Sequence, residues 1–120
     1  MIDAAKIAAI EEAGTAVLTL SEGVEKDEFL RSRLTRAEVR RQVRTIADVS
    51  LEIPAMARSE LAEIAWEGWA FTARHLHAGG DDGEVLWRAV TTLIPATLSW
   101  LRVYRHNQPD LFIAAIAARE

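Results

Sequence analysis

The 120-residue sequence contains no cysteine, and that absence removes disulfides, thiolate zinc sites and cysteine nucleophiles together. Histidine, carboxylate and arginine remain as the available chemistry. Long hydrophobic runs are missing too. No segment reaches the ~18 uninterrupted apolar residues of a membrane span, so a soluble chain with no membrane partner is expected. The opening "MIDAAKIAAIEEAG" has no basic leader region and carries acids within its apolar stretch. It reads as an amphipathic helix and not as a secretion signal, which implies a cytoplasmic address. Positive charge is not in excess either: the net charge is -4, which excludes a surface coated for nucleic acid but leaves room for a local basic patch. Strand-like alternation, internal repeats and low-complexity segments are all absent. At this length a single domain over residues 1–120 is expected.

What is present is helical periodicity. Apolar residues recur three or four apart over residues 2–20, which predicts a first helix. A short helical turn or ordered loop follows, broken by Gly23 and anchored by Phe29, Leu30 and Leu34. Thr35 precedes Glu38 by three residues, the spacing of a capping box, and predicts the start of a second helix. That helix runs to about residue 52, with Val39, Val43, Ile46, Ala47 and Ser50 on one face, and Pro54 ends or bends it. A short stretch over 55–63 and a third main helix over 66–77 come next, the latter stopped by Gly79 and Gly80. A long fourth helix over 84–104 should be kinked at Pro95, and a terminal helix occupies 110–120. The tryptophans Trp66, Trp69, Trp87 and Trp100 are expected to close the core. The fold class is all-α, an up-and-down bundle of four to five helices.

Three groups of polar residues bear on function. Arg74, His75 and His77 gather in the last turn of the third helix, where cations also complement the helix dipole. His75 and His77 are two apart and point away from each other. A metal site is therefore not expected, and "DDGE" at 81–84 matches no calcium loop. Arginine with histidine and without metal suits RNA cleavage: an imidazole takes or supplies the proton at a ribose or leaving oxygen, and a guanidinium holds the phosphate. On the second helix Arg36, Arg40 and Arg44, with Arg33 and Arg41 beside them, line a stripe that is either a solvated basic face or a phosphate track. Glu60, Glu63 and Glu67 form an acidic stripe, solvated or facing a partner.

Taken in order, "FLRSRLTRAEVRRQVRTIADVSLEIP", "IAWEGW", "RHLH" and "DGEVLWRAVTTLIPATLSWL" resemble the HepT-like branch of the HEPN superfamily over residues 12–104. The resemblance implies a helical bundle, a homodimer with two motif copies around a shared cleft, and a metal-independent ribonuclease needing no cofactor. It also implies the role of toxin to a nucleotidyltransferase-type antitoxin. Carried over residue by residue, Arg74 and His77 are the catalytic pair, with His75 or Asp48 alternative or supporting, and Arg36, Arg40 and Arg44 would touch RNA. The sequence departs from the family pattern in that only two residues separate Arg74 from His77. Thr72 lies five before His77, and Gly79 stands where the family usually has tyrosine, so modification of that tyrosine by a partner does not apply here. Three readings follow: the RNA-cleaving toxin, a catalytically inactive dimeric module that binds a nucleotidyltransferase, or a purely structural helical dimer.

Overall fold

The computed structural model describes residues 2–112, and within them the chain is helical with no strand. In order the helices are α1 (Ala4–Ser21), α2 (Lys26–Arg31), α3 (Arg33–Glu52), α4 (Ala55–Glu60), α5 (Trp66–Ala78), α6 (Gly83–Arg88) and α7 (Ile94–Asn107). A π-helical segment, Ala89–Leu93, joins α6 to α7 without interruption, so residues 83–107 form one long rod. Helix α3 packs on both α1 and α5, and the rod closes the bundle against α1 and α5. None of these helices is long and apolar enough to cross a membrane. The predicted terminal helix falls for the most part outside the described residues.

Periodicity explains the packing. On α1, Ile7, Ile10, Ala13 and Val17 are buried; on α3, Val39, Val43, Ile46 and Ala47 are buried, so the two apolar stripes face one another across the core. Trp69 of α5 is fully buried, and its indole N–H donates to the hydroxyl of Thr97 on α7 at 3.0 Å, which satisfies a donor that would otherwise be stranded in an apolar interior. Phe29 is also fully buried and packs against the partly buried Trp87 with ring centroids 5.2 Å apart. Trp66 likewise packs against the core. Trp100 does not: it is exposed beside Tyr104, because its position on α7 turns it off the buried Thr97, Leu101 and Tyr104 face.

One local expectation is corrected. The capping box at Thr35 and Glu38 does not form. Ser32 is the N-cap: its Oγ accepts from the Thr35 backbone N–H and donates to the Thr35 hydroxyl at 2.9 Å, and the helix starts at Arg33. Glu38 instead accepts from Arg41 and Gln42, which hold its carboxyl below the usual carboxylate range. Pro95 lies in the first turn of α7, directly after the π-helical segment. There the Ile94 N–H reaches five residues back to the Ala89 carbonyl, so the wider turn absorbs the ladder disturbance that proline introduces. Gly79 and Gly80 end α5 with φ of 80° and 91°, in the left-handed region, as a glycine stop requires.

Candidate functional site

The C-terminus of α5 lies against the middle of α3, and this juxtaposition brings together residues far apart in sequence. His77 Nε2 is 3.0 Å from Asp48 Oδ1, and an Arg44 terminal nitrogen is 3.3 Å from His77 Nδ1. Arg44 Nε is 3.7 Å from the other Asp48 oxygen, so the three side chains close a triangle. Arg44 and Asp48 are four residues apart on α3 and share a face for that reason. A guanidinium only donates hydrogen bonds. Nδ1 of a neutral His77 must then be the acceptor, and Nε2 carries the proton that points at Asp48. The cluster is open: the His77 side chain is 48% exposed and that of Asp48 42%. It is a surface constellation that a polymer can reach, not a closed cavity.

The other sequence candidates go elsewhere. Arg74 is exposed one turn before His77 and, among the described residues, has no ion pair or hydrogen bond. His75 Nε2 lies 3.3 Å from the Asp81 carbonyl oxygen, and its ring lies tilted beside Phe71 with centroids 6.0 Å apart. Arg36 donates to the Leu30 carbonyl, tying α3 to the end of α2. Arg40 makes a two-point bond to Asp82, just before α6, with the second contact at 2.9 Å. Of the arginine stripe, Arg36 and Arg40 therefore hold helices together, and Arg44 joins the His77 cluster. Among the described residues, no three His, Cys, Asp or Glu side chains converge closely enough to hold a metal ion.

The Arg40–Asp82 pair has a consequence in acid. Bonding to Arg40 holds the Asp82 carboxyl below the usual range, and the same bond raises the Arg40 guanidinium. A depressed carboxylate stabilises the fold above its unfolded-state value, and that stability is lost as pH falls through the folded value. The Asp82 side chain is 12% exposed but that of Arg40 is 42% exposed, so solvent screens the pair and we put its worth at about 1 kcal/mol. Thermal unfolding below about pH 4 should thus fall more steeply for the wild type than for Asp82→Asn. At neutral pH the variant should melt about 4 °C lower. Parallel acid sensitivities in the two proteins would count against the pair.

No family model, curated protein or solved structure matches this chain.

Proposed function

We propose that this chain is a metal-independent ribonuclease of the HepT-like HEPN type, and that its chemistry is carried by His77, Asp48 and Arg44. The supporting observation is the triangle they form at the α3–α5 contact. Each group has one task. Arg44 recruits the backbone phosphate, which competes with the imidazole for the guanidinium and frees Nδ1. Nδ1 then takes the proton of the ribose 2′-hydroxyl, and the 2′-oxygen attacks phosphorus while the bond to the 5′-oxygen breaks. The departing 5′-oxygen receives that proton back from the imidazolium, leaving a 2′,3′-cyclic phosphate and a 5′-hydroxyl. Asp48 fixes the ring tautomer and stabilises the imidazolium between the two transfers. In this reading Arg74 binds phosphate next to the reacting one, and a homodimer and a nucleotidyltransferase-type antitoxin complete the system.

A second reading, the inactive module that partners a nucleotidyltransferase, draws support from the same ring, since both His77 nitrogens already have partners within the chain. One experiment separates the two. Purified protein is incubated with single-stranded RNA in EDTA, and product ends are identified. The ribonuclease predicts cyclic phosphate ends and a loss of about 10²-fold or more in Asp48→Asn, whose amide still reaches Nε2 but favours the wrong tautomer. Intact RNA, together with a nucleotidyltransferase co-purifying from the native host, would establish the inactive module.

A further inference from the structure

A groove of about 320 Å³ opens between α5 and the rod, and the chemistry at His77 makes no use of it. Phe71, Val85 and Leu93 supply apolar lining, and Gly68 lies close beneath Leu93: a Cβ there would come within 2.8 Å of the Leu93 side chain, which would have to shift. Phe71 is 52% exposed; the His75 ring neighbours it at 6.0 Å between centroids, and the part of the ring left uncovered is accessible to a ligand. Glu67 and Arg88 line the same groove. Among the described residues neither side chain has an ion pair or a hydrogen bond. The groove thus offers a partly exposed aromatic ring, one carboxylate acceptor and one guanidinium donor without partners among the described residues, with volume at the lower end of small-ligand sites.

A ligand that satisfies all three has a planar aromatic body, paired N–H donors on one edge and acceptors on another. Guanine fits that description among the bases: its N1–H and amino group present two donors to a carboxylate, its O6 and N7 accept from arginine, and its face stacks on phenylalanine. Position adds a second argument. Phe71, Arg74 and His77 are three apart on α5, so they form one slanting row along the helix whose two ends are separated by about 9 Å of axial rise. Arg74, exposed and without an ion pair or hydrogen bond among the described residues, is the middle residue of that row, where a strand lying along it would carry a phosphate.

We propose that the groove is a guanine subsite, seating a base of single-stranded RNA that flanks the scissile phosphate, with Arg74 holding the phosphate between them. This rests on the ribonuclease reading of His77 and adds to it the base that sets where the strand is cut.

The test has two arms. In the first, His77→Ala protein is titrated with the 5′-monophosphates of guanosine, adenosine, cytidine and uridine by calorimetry. Guanosine monophosphate should bind at least about tenfold more tightly than the others, and Phe71→Ala and Glu67→Gln should each weaken it about tenfold, with circular dichroism unchanged. In the second, cut sites of the wild-type protein are mapped on a mixed-sequence single-stranded RNA; they should cluster beside guanines, and Glu67→Gln should flatten that distribution. Equal affinity for the four nucleotides, or cleavage without guanine bias, overturns the subsite and leaves the His77 chemistry standing. Tight guanosine monophosphate binding with no cleavage of any RNA supports the groove as a guanine site and overturns the ribonuclease reading instead.

Discussion

On the proposed ribonuclease reading, replacing His77 with alanine is expected to lower RNA cleavage by about 10²- to 10⁴-fold, the range that one positioned acid–base group contributes. The fold should hardly notice. The side chain is 48% exposed and its bonds are to partly solvated partners, so its loss should cost at most about 0.5 kcal/mol. Single-turnover cleavage in EDTA, with the melting temperature measured on the same samples, separates the two effects. The partition between binding and chemistry is also set in advance. Arg44 remains in place to meet phosphate, so RNA affinity should change little and the loss should fall on the chemical step. Arg44→Ala should do the reverse in part, weakening RNA binding and making it less dependent on salt. Cleavage that survives both EDTA and His77→Ala at the wild-type rate would sink the assignment.

That prediction depends on a contact which local spacing could not have supplied. Within α5, the sequence places Arg74 and His77 three apart and makes them the natural pair. The fold pairs His77 with Asp48 and Arg44, 29 and 33 residues earlier, because the end of α5 packs across α3. A helical wheel already puts Arg44 and Asp48 on one side of α3, beside the buried stripe of Val43 and Ala47. What the wheel lacks is the identity of the helix opposite, and only tertiary packing provides it.

The same limit explains Arg40. As one member of an arginine stripe it looks like a phosphate ligand, but the turn after Gly80 delivers Asp82 to it and makes it a clamp between α3 and α6. By contrast the long helices were legible, since each owes its existence to a stripe of apolar residues at helical period and its end to proline or glycine. The boundary that misled was Thr35: two plausible caps, Ser32 and Thr35, lie three apart. Ser32 wins because the Ser32 N–H bonds back to the Glu28 and Phe29 carbonyls at the end of α2, which fixes Ser32 in the extended conformation of an N-cap.

The largest effect on stability is expected at Trp69. Its side chain is wholly buried between α5 and the rod, and truncation to alanine removes a large apolar surface and leaves a void that close-packed neighbours fill only in part. A loss of about 3–5 kcal/mol is expected. Because a domain of this kind has in total only ~5–15 kcal/mol, Trp69→Ala should be partly unfolded at 37 °C. Trp69→Phe isolates the smaller part of the effect: most of the ring volume stays, but the Thr97 hydroxyl loses its donor and a narrower gap opens, for about 1–2 kcal/mol. Urea titration should show the midpoint falling in that order with an unchanged slope, since the surface exposed on unfolding is nearly the same. Trp69 also precedes His77 by eight residues on the same helix, so the indole sets the register in which α5 presents His77 to Asp48. On the ribonuclease reading, Trp69→Phe at temperatures where it is fully folded should therefore lose cleavage rate while keeping its affinity for RNA. A Trp69→Phe protein as stable as the wild type would mean that the Trp69–Thr97 bond does not hold α5 in place.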